Sequence, residues 1–257
     1  FIFSLFFSFG LSFAQEATST PIERFYAWES VPFSNKTWKS LTSNNDGSKV
    51  AIIESLLTSG TGVKTGGYIY VSNDGGYSWN LRSSSLGQKS WRAVKYSGDG
   101  KTLVAAAAGY YDYIYTSTDD GQTWSTSTAA GKRQWLNLDI SLDGKTIVAG
   151  DYGQYLYISS DSGVTWNTIE TLGTKAWENI TLAQNGSKII VTISNDYLYI
   201  SSDSGATWAT STSAGSRAWQ SVTSSSDGTK LAAVVLGNYI FTSTDGGATW
   251  TERTNSG

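Results

Sequence analysis

Between residues 38 and 257 apolar and polar residues alternate in short runs, and no stretch shows the three-to-four spacing of an amphipathic helix. One run begins at a tryptophan and alternates, as in Trp91-Arg-Ala-Val94. An Asp-Gly or Asn-Gly pair follows, which supplies the positive-φ residues of a tight hairpin turn. A nearly continuous apolar run comes next, such as Thr102-Leu-Val-Ala-Ala106 or Lys188-Ile-Ile-Val191, and then an aromatic run such as Tyr113-Ile-Tyr115 or Tyr197-Leu-Tyr199. The pattern predicts four short strands per unit and no helix longer than a turn or two.

The unit repeats five times. The segment Ser72-Asn-Asp74-Gly-Gly76-Tyr-Ser78-Trp79 returns as Ser117 to Trp124, Ser159 to Trp166, Ser201 to Trp208 and Ser243 to Trp250, with its Asp recurring at intervals of 45, 42, 42 and 42 residues. A second series, Trp38, Trp91, Trp135, Trp177 and Trp219, opens each unit. In every octapeptide the Asp carboxylate is placed to accept N–H bonds across a turn, and the Gly two residues on can take a positive φ. These positions are Asp74, Gly76 and Trp79; Asp119, Gly121 and Trp124; Asp161, Gly163 and Trp166; Asp203, Gly205 and Trp208; and Asp245, Gly247 and Trp250. We read all fifteen as structural. Four antiparallel strands every 42 residues is the period of a β-propeller blade, whose sheet buries both faces against its neighbours.

The octapeptides resemble the Asp-box, or bacterial neuraminidase repeat. That family is known from sialidases, xyloglucan-degrading glycosidases, sortilin-type receptors and a photosystem II assembly factor of the thylakoid lumen. The resemblance implies a propeller over residues 38–257 with the boxes on blade edges, and it is nearly silent on function. Gly257 stands where a sixth unit would start, and Ala27-Trp28-Glu-Ser-Val31 resembles an orphan outer strand within residues 15–37. The expectation is therefore five complete blades of a six- to eight-bladed propeller. Residues 1–14 form a short apolar run ending in Ser12 and Ala14, followed by Gln15-Glu16. They read as a clipped signal peptide, which predicts export.

Composition narrows the chemistry. The 257 residues contain no His and no Cys, which removes Ser-His-Asp and Cys nucleophile catalysis, zinc sites of the usual ligands and disulfides. A formal charge of −3 argues against a nucleic-acid partner. We expect no metal, no cofactor, no transmembrane segment and a monomer. Candidate ligand residues lie outside the repeat. Asp112, Asp151 and Asp196, with Tyr111 and Tyr152, fall in the loops between second and third strands, and a cation stands two residues before each leading Trp: Lys36, Lys89, Arg133, Lys175 and Arg217. Propeller symmetry puts all of these on one face, where a ring of cations would focus positive potential toward an acidic glycan or protein. The sequence reading is a non-enzymatic binding or assembly scaffold with no catalytic residue assigned. The alternative is a sialidase-like or glucanase-like hydrolase fragment, for which the three loop acids would have to supply two carboxylates about 5–9.5 Å apart.

Overall fold

The computed structural model describes residues 36–54, 57–58, 64–108, 111–237 and 239–254. The candidate signal peptide, the orphan strand around Trp28 and Gly257 lie outside the described residues. Within them the chain is five four-stranded antiparallel blades. The first has strands Trp38–Ser43, Val50–Glu54, Ile69–Ser72 and Asn80–Leu81. The second has Trp91–Tyr96, Leu103–Ala107, Ile114–Ser117 and Ser125–Thr126. The third has Trp135–Ile140, Ile147–Asp151, Leu156–Ser159 and Asn167–Ile169. Blade 4 uses Trp177–Leu182, Ile189–Asp196, Leu198–Ser201 and Ala209–Ser211, and blade 5 uses Arg217–Ser224, Leu231–Val235, Ile240–Ser243 and Thr251–Arg253. Blades 4 and 5 share one continuous sheet, because Ser194 and Asp196 pair with Ala218 and Arg217. The Gly/Thr-rich insertion of blade 1 carries a small hairpin, Leu57–Thr58 against Lys64–Thr65.

The core lies between blades rather than within them. Along the second strand of blade 2, Leu103, Ala105 and Ala107 turn toward blade 1, while Val104 and Ala106 turn toward blade 3. This is the two-residue alternation of a strand, with both faces now buried. The same division recurs in blade 4, where Val191 faces blade 3 and Ile190 faces blade 5. Trp91, Trp135, Trp177 and Trp219 fill the four interfaces and are buried, each edge-on to an aromatic of the third strand or close to one. Trp38 differs at 38% exposed, since no described blade covers its outer side. The box tryptophans are also only half-buried: they lie at the outer-strand rim, where a neighbour covers one side. A single 3-10 turn closes three of the blade-to-blade connections, at Ser84–Leu86, Thr128–Ala130 and Thr212–Ala214.

Strand order gives the molecule two rims. First hairpins and Asp-box turns share one: the box amides of Gly75, Ser162, Ser204 and Gly246 donate to carbonyls of Ser48, Lys145, Ser187 and Thr229 in the first hairpins. The loops between second and third strands share the opposite rim with the blade-to-blade connections, as the bridges Asp112 to Arg133 and Gln154 to Lys175 record. First strands of successive blades pack against each other and are therefore innermost.

Candidate binding face

On the box rim the five turns are one construction. Asp161 accepts Thr165 N–H and Ser159 Oγ–H on Oδ1, each at 2.8 Å, and Thr165 Oγ1–H on Oδ2 at 2.6 Å. The Ser159 hydroxyl in turn accepts Gly163 N–H at 2.8 Å. Asp74, Asp119, Asp203 and Asp245 repeat this, and the box glycines all have positive φ, from 76° at Gly121 to 101° at Gly76. The hydroxyls of Ser78, Thr123 and Thr207, followed by the same residues' N–H groups, hold the carboxyls of Asp74, Asp119 and Asp203 down to about 2. Every carboxylate oxygen of these turns has a partner inside its own turn, so the boxes are latches.

The loop rim carries the candidate ligand residues, and four of the five cations are neutralised there. Lys36 donates to Glu54 at 2.9 Å and to Tyr70 at 3.0 Å. Lys89 meets Asp112 at 3.0 Å, while Tyr115 donates to the other oxygen of that carboxylate at 2.7 Å. Lys175 meets Asp196 at 2.8 Å, with the Tyr199 hydroxyl 3.2 Å away from the same carboxylate. Arg133 lies 3.7 Å from Asp151 and 4.2 Å from the centre of the Tyr157 ring. The backbone of Lys89, Arg133, Lys175 and Arg217 bonds to the preceding blade, whereas the first three reach their acid within their own repeat. Each of those three thus ties two blades together. The expected five-fold positive ring is replaced by a series of cation, acid and tyrosine triads.

The fifth repeat breaks the series. Arg217 stacks on Phe241 at 4.5 Å and its Nε donates to the Ala214 carbonyl at 3.0 Å, but it has no ion pair among the described residues. Electrostatics follow the geometry. Burial would raise Asp112 and Asp196, yet hydrogen bonds from Tyr115 and Lys175 and from the Tyr113 and Tyr197 amides outweigh it and leave both below the ordinary carboxyl value. At Asp151 burial prevails over the Gln134 amide and Arg133, and the carboxyl is raised.

Tyr111 and Tyr152 stand at the tips of adjacent loops, 60% and 57% exposed. Tyr111 has φ 60°, at the loop position that holds Gly153 (φ 67°), Asn195 (φ 60°) and Gly237 (φ 65°) in the next three blades. Sequence reasoning missed Glu54 as the partner of Lys36, and the tyrosines Tyr70, Tyr115, Tyr157 and Tyr199 as members of the triads. A signal for Glu54 was present: like Asp151, it is the cross-strand partner of its leading Trp.

Among the described residues no group of His, Cys, Asp and Glu could hold a metal ion, and no helix is long and apolar enough to cross a membrane. No curated protein matches the sequence. The family model for the BNR/Asp-box repeat matches residues 241–252. Among solved structures the chain is similar to the GH74 enzyme of Niastella koreensis, with TM-score 0.67 and 15% identity over 84% of this chain. It is similar to YCF48 bound to a D1 peptide (TM-score 0.62, 15% identity, 89% of this chain and 70% of that one). It is also similar to a chain of a nidogen/laminin complex (TM-score 0.62, 13% identity, 84% and 79%). The chain spans 38% of the length of the GH74 enzymes it matches. At these identities the likeness concerns the fold. Five latched octapeptides on the edges of five four-stranded blades make the chain an Asp-box β-propeller.

Proposed function

We propose that this is an exported, non-enzymatic scaffold that holds a protein segment across the loop rim, with Tyr111 and Tyr152 as its contact residues. The conformation of Tyr111 carries the reading. A left-handed backbone is relaxed for Gly and tolerable for Asn, and it is strained for an aromatic residue by about 1–2 kcal/mol. That strain is accompanied by an exposed ring rather than a buried one, and such strain collects at functional positions. The loop acids support binding over hydrolysis, because Asp112 and Asp196 are held ionised by Lys89 and Lys175 inside their own repeats. Similar propellers that hold a D1 peptide or take part in a nidogen/laminin complex lend the reading weight. Asp151 favours the second reading, a glycoside hydrolase, since a buried carboxyl with a raised pKa suits a general acid.

One experiment separates the two. A random-peptide display library is panned on the full chain, and enriched peptides are titrated against a Tyr111→Asn/Tyr152→Ser variant, which gives these loops the residues blade 4 carries. Affinity should fall about 10-fold or more, as for a central aromatic contact, while Tm rises by a few degrees as the strain at residue 111 is relieved. Equal affinity for both forms would refute the binding face. Hydrolysis of xyloglucan oligosaccharides or sialyllactose that disappears in Asp151→Asn would establish the enzyme instead.

A further inference from the structure

The interruption of the triads in blade 5 has a defined shape. Arg133 and Arg217 adopt the same pose: Nε donates to a carbonyl three residues back, Ala130 at 2.9 Å or Ala214 at 3.0 Å, and the guanidinium lies against the third-strand aromatic. In blade 3 the rest of the fork faces Asp151, the cross-strand partner of Trp135. In blade 5 the cross-strand partner of Trp219 is Val235, and in the sequence the residue before Tyr239 is Asn rather than the Asp that precedes Tyr113 and Tyr197. Tyrosine is also lost, since Phe241 has no hydroxyl to donate. Acid and hydroxyl are thus removed together while the cation and its orientation are kept.

The surroundings favour an anion from outside. The carboxylate of Asp196, whose backbone pairs with Arg217, is compensated by Lys175 at 2.8 Å. Leu236, 70% exposed, is tied to the residue that follows Arg217 by the bond from its N–H to the carbonyl of Ala218. It occupies the loop position of Tyr152, whose N–H bonds in the same way to the carbonyl of Gln134. A planar guanidinium fixed at Nε offers parallel N–H donors matched to a carboxylate, which a flexible ammonium does not. An exposed leucine whose backbone is bonded to the residue after that arginine offers apolar contact to a neighbouring ligand side chain.

We propose that Arg217 and Leu236 form a carboxylate anchor on the loop rim, taking a peptide C-terminus whose last side chain is apolar. The ligand carboxylate replaces, from outside, the one that Asp151 provides to Arg133 from within. This rests on the protein-binding reading and names the chemical group that the face receives.

The test uses a fluorescein-labelled octapeptide of Gly and Ser ending in Val-Leu, prepared as the free acid, as the C-terminal amide, and as an amide carrying an internal Glu. Fluorescence polarisation is read on the full chain and on Arg217→Gln and Arg217→Lys. The free acid should bind about 10-fold tighter than either amide to the wild type. Arg217→Gln should erase that preference with Tm unchanged, and Arg217→Lys should restore only part of it because it lacks the fork. The preference should also shrink as salt rises from about 0.1 M to 1 M. Three results would overturn the proposal: equal or no binding of acid and amide by the wild type, preference for the internal Glu, or a preference that survives Arg217→Gln. Library peptides that bind equally as acids and amides, yet are lost on Tyr111→Asn/Tyr152→Ser, would remove the anchor and leave the scaffold standing.

Discussion

Replacing Asp161 by Ala should destabilise the protein without altering its ligand face. The substitution leaves Thr165 N–H and Thr165 Oγ1–H without their acceptor and deprives the buried Ser159 hydroxyl of its own. Ser159 then holds Gly163 N–H less firmly, and Gly163 matters beyond its turn. Its carbonyl accepts from Ser127 of blade 2 and from Trp166 Nε1, which also reaches Ser127 Oγ at 2.9 Å. Water can replace part of what Thr165 loses, because the carboxylate is open to solvent, but it reaches Ser159 poorly. The expected cost is about 1 kcal/mol, the scale of a side-chain acceptor that caps turn amides. For a chain of this size about 1 kcal/mol lowers Tm by about 2–4 °C. Differential scanning calorimetry measures it, alongside peptide polarisation on the same sample. An unchanged Tm, or lost binding at an unchanged Tm, would refute the assignment of the boxes as latches.

Further consequences can be measured directly. Trp177→Ala, at an interface where the wild-type ring is fully buried, should cost about 3–5 kcal/mol in urea denaturation, whereas the same change at the half-buried Trp208 should cost less. The box carboxyls of Asp74, Asp119 and Asp203 titrate near 2 in the folded protein, against an ordinary value of 3.8. Their contribution to stability is therefore fully present above about pH 4 and lost as pH falls toward 2. Circular dichroism at fixed urea should show that fall, and Asp203→Ala should make it shallower. Lys175→Met should uncover Asp196 and raise its pKa, which a carbon-13 carboxyl titration reads; an unmoved titration would place the control elsewhere.

The blades were legible because two independent markers, the leading Trp and the octapeptide, recur at one period and bracket runs with strand alternation. Turn chemistry was legible for the same reason: Asp-Gly and Ser-x-Asp-x-Gly dictate local geometry whatever surrounds them. The fate of the cations was not. Glu54 and Asp151 lie across from the leading Trp at the end of the second strand in repeats 1 and 3, whereas Asp112 and Asp196 stand directly before the third-strand aromatic run in repeats 2 and 4; Asp151 and Asp196, expected in loops, are the last residues of their second strands. A period search keyed to one offset sees half of the pairs. The half-burial of the box tryptophans was not legible either, because at the rim it depends on how far the neighbouring blade extends. The turns at Ser84–Leu86, Thr128–Ala130 and Thr212–Ala214 are single turns, too short to leave a periodic signature. Tyr111 looked like any loop tyrosine, since a positive φ at a non-Gly residue is fixed by the fold around it.

Hydrogen–deuterium exchange on the full chain, with and without a peptide enriched on the wild type, tests the central claim most directly. Bound peptide should slow exchange in the loops around Tyr111, Tyr152 and Leu236, and leave the octapeptides 117–124, 159–166 and 201–208 unchanged. Protection confined to the octapeptide rim, with the loops exchanging as in the free protein, would contradict it.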